Sequence, residues 1–325
     1  MPSIQVVDIA AISLASTAPA EDDYKAVAGV LECCFKDIGF VFIKNHGIDQ
    51  TVITGAMQAS MEFFDLEIDV KSLSRKGAEF QGWVEQGREI FDQDEDGKIA
   101  ELEVRETYDM KNISSSGKFP DKNCPELREA LTGLAENGKL LTKRLLHCIS
   151  LALGQNGNFL GDQHQGMLSQ GLAGSVENST TLRSIHYPPI PDNLAAQPGI
   201  IRCGEHSDYG TITLLFQDQL GGLEVKAVDG QWVLADPVPG TILINVGDLL
   251  EAMSGGQYPA TRHRVVVPVQ EFRRKTLRQS IAFFIHPDDA VVCQPLSGPD
   301  PRYPPVTALR HLLNRFQSTY GDRLE

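Results

Sequence analysis

From about residue 180 onward, apolar residues recur at every second position in short runs, and Gly- and Pro-rich turns cut those runs apart. The runs are "LRSIHYP", "GIIRCGEHS", "TITLLFQD", "GLEVKAV", "QWVLAD", "TILINVG", "RHRVVVP" and "RQSIAFFIHP", divided by "PPIPDN", "DQLGG", "VDGQ", "PVPG" and "SGGQYPAT". A period of two places alternate side chains on opposite faces of a strand. Eight short strands with such dividers close into a barrel or a double sheet, and a jelly roll fits their number.

The preceding residues have a different texture. "DDYKAVAGVLECCFKDIG" and "DQTVITGAMQASMEFFDL" carry apolar residues at helical spacing, and "FVFIKNHG" between them reads as a strand. Residues 71 to 119 are polar and Gly-rich, an excursion with short strands at best. Residues 124 to 154 form the clearest helix, and "PVTALRHLLNRFQSTYG" reads as an amphipathic one. The expected class is α+β: a double-stranded β-helix (jelly-roll) core flanked by helices, in one domain over residues 1–325. Within it, 1–120 is a helix and strand region, 121–179 the long helix and a linker, 180–290 the β-core, and 291–325 a C-terminal helix.

With 29 basic against 43 acidic residues the net charge is −14, which argues against nucleic acid or an anionic membrane surface as partner. No stretch approaches the roughly 20 apolar residues of a membrane span. The six cysteines form no CxxC pair, and "MPSIQVVDIAAISLAS" lacks a basic leader region and carries Asp8 among its apolar residues. Reduced thiols in a cytoplasmic protein are the expectation. The oligomeric state is not readable.

"CGEHSDYG", at the head of the run "TITLLF", places His206 and Asp208 two positions apart, on one face of an extended chain. Alone, His-x-Asp is a weak signal. "TRHRVVVP" adds His263 at the start of another strand, and "LRQSIAFFIHP" places Arg278 and Ser280 on one face of a further one. A guanidinium inside a β-core is costly unless an anion meets it, and its planar fork suits a carboxylate. Two imidazoles and one carboxylate on one side of a metal, with the other positions open, is the arrangement of non-haem Fe(II) oxygenases.

These residues, together with "IQVVDIA", "IGFVFIKNHGI", "LRSIHYPP", "GGLEVK" and "GTILINVGDLLEAMSGGQYPATRHRVV" in order and spacing, resemble the isopenicillin N synthase-like family of Fe(II)- and 2-oxoglutarate-dependent dioxygenases. The resemblance spans nearly the whole chain. It implies that His206, Asp208 and His263 ligate iron, and that Arg278 and Ser280 bind the distal carboxylate of 2-oxoglutarate, with the Tyr187 hydroxyl as a further donor. Ile185 stands where many plant members carry an asparagine that also touches the cosubstrate. That is either ordinary variation or a site that handles the cosubstrate differently. Charge balance agrees with the resemblance. Fe(II) beside one aspartate carries one positive charge and Arg278 another, matching the two negative charges of 2-oxoglutarate.

The implied activity is oxidation of a small-molecule metabolite, of the kind found in secondary metabolism, by hydroxylation, desaturation or cyclisation. O2 and 2-oxoglutarate would be converted to succinate and CO2. A 2-oxoglutarate-independent iron oxidase of the same fold and an inactive binding protein are the alternatives. Strand alternation puts Phe284 on the face of Arg278, and Arg183 and Ile185 on the face of Tyr187. Phe284 reads as a substrate wall or as core packing. Arg183 reads as a grip on an acidic substrate or as the partner of an acidic residue, and Arg202, on the face of His206, has the same two readings. "FQGWVEQGREIF" and "LRHLLNRFQ" are candidate lids by family resemblance. His46, His147, His186 and His286 read as structural.

Overall fold

The computed structural model describes residues 3–77, 80–88, 102–111, 119–168, 176–195, 200–267, 270 and 274–320. Fourteen of its strands concern the site: β1 (Val6–Asp8), β2 (Phe40–Lys44), β3 (Gly82–Val84), β4 (Leu102–Glu103), β5 (Glu106–Met110), β6 (Thr181–Tyr187), β7 (Ile200–Ile201), β8 (Cys203–His206), β9 (Ile212–Gln217), β10 (Leu223–Lys226), β11 (Trp232–Leu234), β12 (Thr241–Val246), β13 (His263–Val265) and β14 (Arg278–Ile285). The helices are α1 (Glu21–Ile38), α2 (Gln50–Phe64), the short α3 (Ile68–Ser72), α4 (Glu126–Ala152), the short α5 (Asp192–Ala195) and α6 (Asp248–Met253), and α7 (Ala308–Tyr320). Among the described residues, no helix is long and apolar enough to cross a membrane.

Eight strands form one sheet in the order β1-β2-β12-β9-β14-β6-β5-β3, and four form a second in the order β11-β10-β13-β8. The two are the layers of a jelly roll, and their alternating residues divide into two apolar clusters. Val41, Ile43, Leu214, Ile244, Ile281, Phe283 and Ile285 pack with Leu131, Leu134, Leu145 and Phe63 of the helices. Phe40, Phe42, Leu243, Ile185 and Ala282 face the other way and pack with Leu223, Val225, Cys203 and Val265 of the second sheet. A central strand covered on both faces is apolar nearly throughout, and β14 is buried at seven of its eight positions.

Local signals set the ends of the first helices. Asp49 caps α2 by accepting from the Thr51 amide at 2.8 Å. Gly39 closes α1 at φ 70°, where a Cβ would lie 2.3 Å from the Pro259 carbonyl oxygen, so the turn into β2 admits only glycine. β2 then pairs with β12 and with β1. The polar excursion over residues 71 to 119 supplies β3 and β5, which extend the same sheet beyond β6.

The pattern of "GIIRCGEHS" predicts one strand, and the chain divides there at Arg202 into β7 and β8. The pairing of β8 with β13 also shifts register between His263 and Val265, a bulge that interrupts the alternation of faces.

Candidate active site

Between the two sheets lies a cavity of about 1040 Å³, measured out to its open mouth. Its walls repeat the strand period. Arg278, Ser280, Ala282, Phe284 and His286 line it from β14 and the residue just after it, Thr181, Arg183, Ile185 and Tyr187 from β6, and Asp109 and Lys111 from β5 and its end.

His206 ends β8, Asp208 follows in the turn, and His263 begins β13 directly opposite His206. One ligand atom from each lies within 4.8 Å of the others. The Asp208 Oδ1 is 3.8 Å from Nε2 of His206 and 3.7 Å from Nε2 of His263. Both Nδ1 atoms point away, His206 to the Gly204 carbonyl at 2.8 Å and His263 to the Thr261 carbonyl at 3.1 Å. A carbonyl accepts only from N–H, so both rings carry a proton on Nδ1 and turn Nε2 inward. The other Asp208 oxygen, Oδ2, accepts from Thr213 Oγ1 at 2.5 Å and from Asn245 Nδ2 at 2.7 Å. That leaves Oδ1 as the oxygen aimed between the imidazoles. Three inward donors with fixed orientations fit a divalent metal of the nitrogen and oxygen type.

Burial holds the His206 pKa below the ordinary histidine value, with the neighbouring His263 acting in the same direction. Burial alone would raise that of Asp208. The hydrogen bonds from Asn245 and Thr213 oppose it, and the carboxyl stays low. The turn is fixed by Gly210, where a Cβ would lie 2.2 Å from the Ile285 carbonyl oxygen, and by the Thr211 amide donating to that oxygen at 2.7 Å.

At the other end of β14, Arg278 is 1% exposed. Its Nε donates to the Gly221 carbonyl at 2.9 Å, while among the described residues its Nη1 and Nη2 make only long contacts of 3.4 Å, to Ser280 Oγ and Gln217 Oε1. Tyr187 lies opposite in register, with the guanidinium 4.7 Å from its ring centroid. A carboxylate is the group that would draw bonds of normal length from both Nη atoms. Ile185 lines the cavity between this end and Arg183 and offers no polar atom.

The remaining expectations divide. Phe284 and Arg183 both line the cavity, with the guanidinium 5.8 Å from the Phe284 ring centroid. Arg183 is paired with an acid: it donates through Nε and Nη2 to the two oxygens of Asp109 at 2.6 and 2.7 Å. Arg202 is not a wall residue. It is fully buried outside the cavity and donates to the Thr276 carbonyl at 3.2 Å. The reason is the break between β7 and β8, which resets the alternation that put Arg202 on the face of His206.

Helix α7 brings Leu312 and Phe316 to the cavity, and Phe80 comes from just before β3; of the candidate-lid segment 80–91, residues 89–91 lie outside the described residues. The Phe80 and Phe316 rings lie 5.3 Å apart. Phe80 holds φ at 56°, a region that bulky residues seldom adopt. The helix is fastened to the metal-side turn, with Tyr209 bonded to Thr319 at 2.6 Å and Arg315 4.5 Å over the Tyr209 ring.

Sequence reasoning missed Thr213, Asn245, Lys111 and the cavity position of His286, while Phe80 opens the segment named as a candidate lid. The available signal was the strand period. His286 continues the series 278, 280, 282 and 284, and Asn245 is an amide inside the otherwise apolar run "ILINV".

Comparison with known proteins agrees with this geometry. Residues 178–287 match the model of the 2OG-Fe(II) oxygenase superfamily, and residues 4–128 match that of the non-haem dioxygenase in morphine synthesis N-terminal region. The chain is 27% identical over 310 residues to the 2-oxoglutarate-Fe(II) type oxidoreductase ppzD of Metarhizium rileyi, covering 89% of this chain and 84% of the relative. It is 29% identical over 308 residues to homoarginine-6-hydroxylase 2-ODD-C23 of Glycine max, covering 90% and 88%. A full-length Neurospora crassa protein, solved in complex with alpha-KG and thymine, superposes with a TM-score of 0.81 at 25% identity, over 97% of this chain and 96% of that one. The cofactors are Fe(II), 2-oxoglutarate and O2, and the substrates are small molecules. The chain belongs to the Fe(II)- and 2-oxoglutarate-dependent dioxygenases of the isopenicillin N synthase-like type.

Proposed function

We propose that His206, Asp208 and His263 hold the Fe(II), and that Arg278, Ser280 and Tyr187 receive the distal carboxylate of 2-oxoglutarate. On this reading the chain oxidises a small metabolite seated against Phe284, Ile185 and Arg183, with hydroxylation as the default outcome. The carrying observation is the convergence of two inward Nε2 atoms and one carboxylate oxygen within 4.8 Å. When bound, iron and 2-oxoglutarate supply the oxidising power, consuming O2 and releasing succinate and CO2.

The side chains have simpler tasks. Thr213 and Asn245 fix the Asp208 carboxylate, and the Gly204 and Thr261 carbonyls fix the two imidazoles. Phe40 meets the His263 ring edge-on at 5.4 Å, and with Leu215, Leu223 and Val265 it forms a dry wall that keeps water from the metal side. Leu312, Phe316 and Phe80 cover the substrate side. Residues 1–325 act as one oxygenase domain on this reading, because β1, β2, β3 and β5 pair into the sheet that carries β14.

The test is an anaerobic titration of metal-free protein with Fe(II) and then 2-oxoglutarate, followed by visible absorption. A weak charge-transfer band should appear only with both, and vanish in His206→Ala and in Arg278→Ala. Iron binding without the band would remove 2-oxoglutarate from this reading. No iron binding would remove the ligand assignment.

A further inference from the structure

The wall of the cavity farthest from Arg278 carries more positive than negative groups. Asp109 and Lys111 are two residues apart and both line it. Asp109 is already shared, accepting from Arg183 at 2.6 and 2.7 Å and from Lys76 Nζ at 2.6 Å. Those two cations hold its carboxyl low although burial opposes them. Lys111 is 5% exposed, and its Nζ lies 5.3 Å from the Phe80 ring centroid. Among the described residues, that ammonium has no hydrogen-bond or ion-pair partner. Asp289, Asp109 and Glu177 are close enough to favour its charge, but burial prevails and lowers its pKa. A buried ammonium without a partner is expensive, and the expense is recovered where a ligand brings the anion.

That anion is not 2-oxoglutarate. Arg278 and Phe284 stand six residues apart on β14, roughly 20 Å along the strand. Lys111 belongs to the Phe284 end, since Met110 pairs with Leu182 and Leu182 with Phe283. The Asp208 partner Thr213 also pairs with Phe284, so this end of the cavity is level with the metal ligands. Beside these charged groups, Phe80, Phe284, Leu312 and Phe316 supply an apolar and aromatic part of the wall. His286 lines the same wall, and its Nδ1 has no hydrogen-bond partner among the described residues.

We propose that Lys111 is the anchor for an anionic substituent, a carboxylate or a phosphate monoester, on the prime substrate, whose flat apolar body lies among Phe80, Phe284 and Phe316. This deepens the oxygenase reading and rests on it. The anchor holds one end of the substrate and presents the carbon skeleton to the metal side. Arg183, locked to Asp109, serves as a wall rather than a grip.

The experiment is anaerobic calorimetric titration of the protein loaded with Fe(II) and saturating 2-oxoglutarate, so that Arg278 is already engaged. The probes are phenylacetate, indole-3-acetate and phenyl phosphate, each against a neutral counterpart: phenylacetamide, indole-3-acetamide and phenol. At least one anion should bind tenfold or more tightly than its counterpart. That ratio should fall to near one in Lys111→Met and largely persist in Lys111→Arg. Whether the carboxylates or the phosphate show the preference identifies the substituent.

Equal binding within every pair, or no binding by any anion, overturns the proposal. So does a preference that survives in Lys111→Met. If that variant does not fold, Lys111→Gln takes its place, and the wild-type ratio is informative alone. The charge-transfer band in the same samples separates the failures: an intact band without anion preference sinks only the anchor, and a missing band sinks the cosubstrate reading.

Discussion

At the scale of single residues, the metal side depends on groups that never touch the metal. Asp208 Oδ2 is held by Thr213 and Asn245, and without the amide the carboxylate is free to swing. Asn245→Ala should therefore weaken Fe(II) binding by about 10- to 100-fold while the fold persists, measured by equilibrium dialysis with metal analysis. An unchanged affinity would show that Thr213 alone orients the carboxylate. His206, Asp208, His263, Arg278 and Ser280 were legible in the sequence because each polar residue stands where an apolar strand begins, at a spacing with a chemical meaning. Asn245 and Lys111 were not. Asn245 stands out as an amide in an apolar run, but what it and Lys111 face is set by cross-strand register and by a cavity assembled from distant segments.

At the scale of elements, α4 shows how closely a helix packs on this sheet. Gly138 faces Phe283 of β14, and a Cβ there would lie 3.0 Å from the ring. Phe283 is fully buried and belongs to the layer between sheet and helices, so it has little room to retreat. Gly138→Val should destabilise the protein by about 1–3 kcal/mol through overpacking, read from urea unfolding. A neutral result would mean that α4 slides to make room. The existence of α1, α2, α4 and the main strands follows from the 3.6 and 2.0 periods. Alternation also assigned Phe284, Ile185 and Arg183 to the cavity, and failed at Arg202, where a bulge cost the pattern its phase. Bulges follow from how two strands meet, so one strand's sequence does not announce them.

At the scale of the whole molecule, buried neutral histidines tie stability to pH. His164 donates from Nδ1 to the Leu160 carbonyl at 2.6 Å and accepts at Nε2 from Thr211 at 2.8 Å. Burial pushes its pKa down to about 4. In the unfolded chain histidine titrates near 6.5, so the unfolded state takes up the proton first as pH falls. The contribution of His164 is complete above about pH 6.5 and is lost as pH falls through about 4. It should cost about 2 kcal/mol between pH 7 and pH 5. Urea unfolding at the two pH values should show the loss, and His164→Gln should reduce it even if that variant is less stable at pH 7. An identical loss in the variant would assign the effect to other groups. One further consequence follows from β14, whose residues alternate between the cavity and the helical layer along its length. Two texts are interleaved there, one chemical and one architectural, and a substitution edits a letter of one while leaving the other intact. Loss of a single codon between Ser280 and Phe284 exchanges the texts beyond that point, turning cavity letters toward the helices and scaffold letters toward the metal. Inheritance can therefore retune this strand freely by replacement and scarcely at all by changing its length.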